Sequence, residues 1–309
     1  MRMTQIEHAL TIASEGSISR AAKKLYLSQP NLSLSLKQLE QELGSPLFER
    51  SGKGVVLTPF GREFLAFAQS TYRQFCLLGD FCSNMGTPPP KTFSVASQYM
   101  RFANTVFTTI CQRYANEPYQ FSFLEGSFQE IVDLVRNQEA EIGLLIISPM
   151  QKRVMQAMFQ RSNLEYHKLS EEDIAIIVRQ HHPLCVGGRQ TVSAAELSRY
   201  PFALYRDIQY SPSPEWKAFG FSDIQQRITV KDRATLYELL SNTDAFTMGI
   251  HNETAYSNTQ YYADKCVLRL SGRHLMNELG YITNKSRPMS PIAEEYCREL
   301  LRITKASSR

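Results

Sequence analysis

Apolar positions at the start of the chain recur with helical spacing. Ile6, Ala9, Leu10 and Ala13 fall at i, i+3, i+4 and i+7, which predicts a helix over about Thr4 to Glu15. Gly16 supplies a left-handed C-cap, and Ser17 N-caps a short second helix from Ile18 to Leu25. Ala21 and Ala22 are small where a second helix must cross closely. After a turn at Tyr26 and Leu27, Ser28 caps a third helix. Pro30 lies in its first turn, where a missing N–H costs no intrahelical bond, and Gly44 ends it. Leu32, Leu36, Leu39 and Leu43 form one stripe for the core, which turns Gln29, Asn31, Ser33 and Lys37 outward, able to enter a major groove. Two short strands around Ser51-Gly52-Lys53-Gly54 then read as a wing whose Arg50 and Lys53 would meet phosphates. Residues 1–58 are therefore expected to be an all-α winged helix-turn-helix that binds DNA.

Thr58 and Pro59 begin a long helix over residues 59–85, in which Gly61 and Gly79 are tolerable interruptions. At 1.5 Å per residue it would span about 39 Å. Phe64, Ala68, Thr71, Phe75, Leu78 and Cys82 repeat at steps of four and three, the pattern of a coiled-coil seam. Such a stripe either packs on its own domain or pairs with a second chain; the length of the helix favours dimerisation, which would suit a dyad-symmetric DNA site. Residues 86–90, with three consecutive prolines, read as a stiff spacer and a domain boundary.

Beyond the spacer, strands and helices alternate. Strand Thr92 to Ser97, a helix to Ala115, strand Tyr119 to Glu125, helix Phe128 to Asn137 and strand Ile142 to Ile147 set a βαβαβ rhythm. Strands at Ile174 to Val178, Pro201 to Tyr205, Arg227 to Val230 and Ala245 to Ile250, with helices at Ala194 to Ser198 and Thr235 to Ser241, continue it. The class is α/β with doubly wound sheets. Ligands of such sheets bind beyond the carboxyl ends of strands, near helix N-termini, which here points to Ser97 and Gln98, to Gly126 and Ser127, and to Ala203 through Arg206.

The run SISRAAKKLYLSQPNLSLSLKQLEQELGSPLFERSGKGVVLTPFG resembles the N-terminal domain of the LysR-type transcriptional regulators, with Ala21-Ala22, Ser28 to Pro30, Ser33, Gly44, Pro46 to Arg50 and Leu57 to Gly61 all in place. Leu34 departs from it, standing where the family often has a basic or amide side chain. Leu34 can touch a thymine methyl or pack on a neighbouring element. LEGSFQEIVDLVRNQEAEIGLLI, from Leu124 to Ile146, resembles the family's effector-binding region more loosely. The resemblance implies two lobes like those of periplasmic binding proteins: lobe one at about 91–162 plus 268–309, closed by a helix that Ser290 caps and Pro291 begins, and lobe two at about 163–267. It further implies paired linker helices, dimers or tetramers, and hydroxyls at Ser97 and Ser127 that hold a small, often anionic, metabolite. Gln98, Arg101, Tyr205 and Arg206 would complete that effector site, although a serine before a helix is often only an N-cap. His251, Asn252 and Glu253 depart from a more apolar family pattern and would mark a rim particular to this ligand.

Composition adjusts this picture in a few places. The 309 residues carry a formal charge of +4. Residues 1–57 hold seven basic and five acidic side chains, so motif rather than charge carries the DNA reading. The six cysteines, Cys76, Cys82, Cys111, Cys185, Cys266 and Cys297, have no paired spacing and read as reduced thiols. His181, His182 and Cys185 sit in a loop, without the further ligands a zinc site requires. No metal, cofactor or catalytic constellation is expected, and no run of apolar residues is long enough to cross a membrane. The expectation is a cytoplasmic DNA-binding regulator controlled by a small-molecule effector, a homodimer or homotetramer, with RNA polymerase as a further partner. The rivals are a regulator that answers to thiol oxidation through Cys185, Cys266 or Cys82, a ligand-independent regulator, and an enzyme fused to a DNA-binding domain.

Overall fold

A computed structural model describes residues 1–51, 54–83, 90–206, 221, 224–250, 264–272 and 276–306. The chain divides after Pro90 into two compact units.

In the first unit, helices α1 (Met3–Glu15), α2 (Ile18–Lys24) and α3 (Gln29–Leu43) precede strands β1 (Phe48–Ser51) and β2 (Gly54–Leu57) and the long helix α4 (Pro59–Ser83). The caps are those the sequence calls for: Ser17 accepts from the Arg20 N–H, Ser28 from the Asn31 N–H, and Gly16 and Gly44 are left-handed. Ile6, Ala9, Ile12, Ala21, Ala22, Leu32, Leu36 and Leu39 close one core with Leu47, Leu65 and Ala68. The wing hangs from the end of α1, because the Val55 N–H donates to the Gly16 carbonyl at 3.0 Å. Glu40 ties α3 to the wing by accepting from the Leu47 and Phe48 N–H groups at 2.7 and 3.2 Å.

Gly61 is more than tolerable. A Cβ there would stand 2.1 Å from the Leu47 carbonyl oxygen, so only glycine lets α4 start against the wing. Thr58 completes the joint: its hydroxyl donates to the Pro46 carbonyl at 2.8 Å and accepts from the Gly61 N–H at 2.8 Å.

The second unit opens with β3 (Lys91–Ser97), α5 (Arg101–Arg113), β4 (Tyr119–Glu125), α6 (Phe128–Arg136), β5 (Ile142–Ile147), α7 (Lys152–Arg161) and β6 (Leu164–Glu172). Then come β7 (Ile174–Arg179), a single 3-10 turn at Pro183–Cys185, β8 (Thr191–Val192), α8 (Ala194–Leu197), β9 (Phe202–Tyr205), β10 (Arg227–Val230) and α9 (Arg233–Asn242). The chain ends through β11 (Thr247–Ile250), β12 (Lys265–Leu270), β13 (Asn277–Asn284) and α10 (Pro291–Ala306).

The first sheet has the order β4-β3-β5-β13-β6, with β3 parallel to both β4 and β5 and β13 antiparallel to both neighbours. Alternation along β3 sends Phe93 and Val95 into a core with α5 and α10, and Ala96 into a core with α6 and α7. This layer is therefore covered on both faces. The second sheet runs β11-β7-β12-β8, and β9 and β10 form a parallel pair beside it.

Two strands move the expected lobe boundaries. β6 pairs with β13 along its length, so residues 164–172 belong to the first sheet rather than to lobe two. β12 pairs with β7 and β8, which keeps residues 265–270 in the second sheet and extends that lobe past 267. The crossovers thus fall at Asp173 and between β12 and β13. The expected spacer at 86–90 lies outside the described residues except for Pro90.

Candidate nucleic-acid interface and ligand cleft

The outward face of α3 follows from its caps and its leucine stripe. Gln29, Pro30, Asn31, Leu34 and Lys37 are exposed, Ser33 is half-buried, and Ser28 serves as the cap. Gln29 accepts a hydrogen bond from the Ser19 hydroxyl at 2.9 Å, which steadies it from α2. At 56% exposure Leu34 packs on no neighbouring element deeply enough to be core, leaving its isobutyl group on the face that carries Gln29 and Lys37. The Ser35 hydroxyl and His8 Nδ1 meet at 2.8 Å, fixing α3 to α1, and burial holds the His8 imidazole below its usual pKa. Two cations of this unit have intramolecular tasks: Arg20 donates to the Glu15 carbonyl at the end of α1, and Lys24 pairs with the Glu15 carboxylate at 2.7 Å. The Lys24 pair holds the Glu15 carboxyl below the ordinary range. β1 and β2 form the expected wing, with Ser51 opposite Gly54. Lys53 and the Arg50 side chain lie outside the described residues.

α4 divides the expected seam. Phe64 and Ala68 turn inward with Leu65 and Tyr72 and pack in the unit's own core, Ala68 being only 5% exposed. Burial, and then a bond to Glu7, raise the Tyr72 phenol above its usual pKa. The outward row is instead Phe67, Thr71, Phe75, Leu78 and Cys82, with Phe67 70%, Phe75 50% and Leu78 58% exposed. Phe64 and Ala68 are corrected as outward-facing residues because the first turns of α4 are covered by α1.

In the second unit, β3 and β4 end side by side, Ser97 opposite Glu125. Ser97 is fully buried and donates to the Gln98 carbonyl at 2.6 Å. Gln98 extends the sheet: its N–H donates to the Leu144 carbonyl at 3.1 Å and its side-chain oxygen accepts from the Ile146 N–H at 2.7 Å. Ser127 begins α6. Its hydroxyl and its N–H both donate to the Glu130 carboxylate at 2.8 Å, and these bonds hold that carboxyl below the usual range. The helix N-terminus expected to receive an anion thus carries one of its own. Arg101 lines a groove of about 1160 Å³ between α5 and α9, with Arg233, Tyr237 and Lys265. Ser97, Ser127, Tyr205 and Arg206 do not line that groove, so Arg101 is not brought to the two serines through it. Arg206 is exposed at the end of β9.

Tyr205 is buried and its ring stacks on Tyr99 with centroids 3.6 Å apart and planes 9° apart. Burial pushes its phenol well above the usual range. Tyr99 follows β3 and Tyr205 ends β9, so the stack spans the two lobes. Glu125 and Arg233 form a second bridge between them. Burial pushes the Glu125 carboxyl up, opposed by the Arg233 guanidinium. Lys231, just before α9, contributes to the low pKa of Glu130. The first lobe therefore offers Glu125 and Glu130 where the second offers Lys231 and Arg233. Tyr99, Glu125 and Arg233 were not anticipated; each is paired with a group about a hundred residues away, and no local pattern marks them.

His182 is buried, with Nδ1 accepting from the Leu184 N–H at 3.1 Å and Nε2 3.0 Å from the Asp244 carbonyl oxygen. Both ring nitrogens serve the loop. His251, Asn252 and Glu253 lie outside the described residues. Among the described residues no helix is long and apolar enough to cross a membrane.

Residues 3–62 match the family described as bacterial regulatory helix-turn-helix protein, lysR family, and residues 101–304 match the LysR substrate binding domain. The RuBisCO operon transcriptional regulator of Allochromatium vinosum is 26% identical over 195 residues, which cover 62% of this chain and 60% of that protein. The match thus spans less than two thirds of that relative. Full-length CbnR, solved in complex with its target DNA, superposes with a TM-score of 0.61 at 19% identity, covering 98% of this chain and 100% of that one. A full-length OxyR variant from Pseudomonas aeruginosa gives 0.58 at 18% identity, covering 100% and 96%. At such identities the two structures speak for the fold alone.

Proposed function

The chain belongs to the lysR family of bacterial regulatory helix-turn-helix proteins, and on that premise we propose that it is a sequence-specific DNA-binding transcriptional regulator, not an enzyme, whose two-lobed unit answers to a small-molecule effector. The observation that carries the DNA reading is the exposed face of α3, where Gln29, Asn31, Leu34 and Lys37 project from a helix locked at both ends by its caps. An amide, a half-buried hydroxyl at Ser33, an apolar tip and an ammonium are the groups that read base edges, thymine methyls and phosphates. Arg50 and Lys53 of the wing would add phosphate contacts.

The outward apolar row of α4 supports pairing with a second copy, and a two-fold dimer reads a dyad-symmetric site. A homotetramer and a contact with RNA polymerase belong to the same reading, as does a cytoplasmic location, where such a protein meets its DNA. Within the two-lobed unit, the Glu125 carboxylate pairs with Arg233 and the Glu130 carboxylate occupies the α6 N-terminus, within the field of Lys231. A small anionic effector fits this set of cations once it displaces those carboxylates, with Ser97 and Ser127 nearby as hydroxyl donors. Because a ligand shifts an equilibrium only by binding its states unequally, such a displacement would change how the lobes meet.

The test is selection of bound fragments from a genomic DNA library by the full-length protein, followed by titration at several salt concentrations. Enrichment of a dyad-symmetric sequence, with affinity for it well above that for random DNA, is the expected result. Equal affinity for both across all salts would overturn it.

A further inference from the structure

After each of the three DNA-reading helices the chain turns through the left-handed region. α1 does so at Gly16, with φ 60°, and α3 at Gly44, with φ 70°. α2 ends differently. Its chain reverses through Tyr26, whose φ is 55°, and two bonds hold the reversal: the Tyr26 N–H donates to the Lys23 carbonyl at 3.2 Å and the Leu27 N–H to the Ala22 carbonyl at 2.9 Å. Glycine adopts this conformation freely, whereas the Cβ of any other L-residue crowds the carbonyl that follows it. Among the described residues from α1 through α3, Tyr26 is the one non-glycine residue held there. Packing does not explain it. The side chain is 96% exposed and covers no core, while its neighbours Ala22 and Leu25 turn inward. An unpacked aromatic on a strained backbone gains nothing within its own chain, and residues held in this way cluster where a ligand is gripped.

Tyr26 also stands at a defined place in the DNA reading of this unit. In a helix-turn-helix the first helix of the motif crosses the phosphate backbone, and the second enters the major groove by its N-terminal residues. The turn from Leu25 to Ser28 therefore lies over the groove wall, between exposed Lys23 of α2 and the exposed first turn of α3 at Gln29, Pro30 and Asn31. The bond from the Ser19 hydroxyl to Gln29 fixes α2 to that same end of α3. We propose that the Tyr26 hydroxyl donates to a DNA phosphate oxygen beside the groove and so sets how deeply α3 enters it. The contact presupposes the DNA-binding reading and adds to it a residue outside α3 and the wing. A hydroxyl brings no charge and releases no counterion when it meets a phosphate. Its signature therefore differs from that of Lys37: affinity changes while salt dependence does not.

The experiment measures binding of full-length wild type, Tyr26→Phe and Tyr26→Gly to the selected site and to random DNA, by fluorescence anisotropy over a range of salt concentrations, with thermal unfolding of the same samples. Tyr26→Phe should weaken binding to both DNAs by about two- to tenfold for each subunit bound, the effect of losing one hydrogen bond. The slope of log affinity against log salt should not change. Tyr26→Gly should weaken binding at least as much, yet keep an unfolding midpoint at or above that of wild type, because glycine fits the left-handed backbone. Undiminished affinity in Tyr26→Phe would overturn the proposal, as would a Tyr26→Gly variant whose loss of affinity comes with a lower midpoint. A wild type that selects no site would fail the DNA-binding reading and this contact with it. A wild type that selects its site and is indifferent to Tyr26→Phe would fail this contact alone.

Discussion

Replacing Phe67 by Ala separates the two ways in which α4 could use its apolar side chains. Phe67 is 70% exposed, so a partner chain that covered it would remove most of a phenyl ring from water. Full burial of such a side chain contributes about 1.5–3 kcal/mol, so this fraction of it gives about 2 kcal/mol for each copy. A two-fold interface uses the residue twice, which makes about 4 kcal/mol, or roughly a thousandfold in the dissociation constant of the dimer. Phe64, on the same helix but inside its own unit's core, should behave in the opposite way: Phe64→Ala should lower the unfolding midpoint and leave association between folded chains nearly unchanged. Sedimentation equilibrium over a wide concentration range reads the first effect, and thermal unfolding of the same samples the second. A dimer constant that Phe67→Ala leaves intact while Phe64→Ala weakens it would refute the assignment of the outward row to a partner chain.

Other substitutions test other joints. Gly61→Ala should destabilise the first unit by about 1–3 kcal/mol in urea unfolding, because its Cβ meets backbone that cannot step aside. Gly79→Ala, with nothing within 4 Å of the new carbon, should stabilise it by about 0.5–1 kcal/mol. Loss of the carboxylate charge at the start of α6 in Glu130→Gln, whose amide oxygen can still accept from the Ser127 N–H, should cost about 0.3–1 kcal/mol at neutral pH. Since the folded Glu130 carboxyl is held below its ordinary value near 4.5, its contribution is complete above that value. The gap between wild type and variant should close as pH falls through the lowered folded value, and a gap that widens on acidification would contradict the assignment. Ser33→Ala or Gln29→Ala should weaken binding to a selected DNA site by about 1–3 kcal/mol, measured by fluorescence anisotropy, with little change on random DNA. Lys37→Ala should instead reduce the slope of log affinity against log salt by about one, on either DNA.

The DNA-reading unit was legible because its signals are local. Ser17, Ser28, Gly16 and Gly44 act within a few residues of themselves, and a leucine every three or four positions declares which face is inward. The role of Gly61 was not, since its constraint comes from the Leu47 carbonyl across the wing. Nor could spacing alone show that Ala68 faces α1 while Phe67 faces outward, because adjacent residues on a helix differ by only about 100°. In the second unit β5 stands out as an apolar run and β3 by its alternation around Phe93 and Val95, whereas β6 and β13 do not stand out. β13 is buried along its middle despite Glu278, Gly280 and Thr283, and Gly280 is needed there because the Tyr166 ring lies over it. A register shift between Leu279 and Gly280 further breaks the period-two pattern of the β6 pairing. α7 buries only Phe159, so its apolar stripe is faint. The cleft residues were the least legible of all. Ser97 and Ser127 lie at places a strand end and a helix start can mark, but the Glu125 to Arg233 pair joins residues 108 positions apart.

The stacked rings of Tyr99 and Tyr205 have a consequence for the sensitivity of any sensor built on this unit. If an effector has to part them, the affinity measured for it is its intrinsic affinity reduced by the free energy of the closed contact. An aromatic pair contributes about 0.5–1.5 kcal/mol beyond its buried area, a factor of roughly two to ten in concentration. The threshold at which the protein responds can therefore be moved severalfold by substitution at Tyr99, a residue that need never touch the effector.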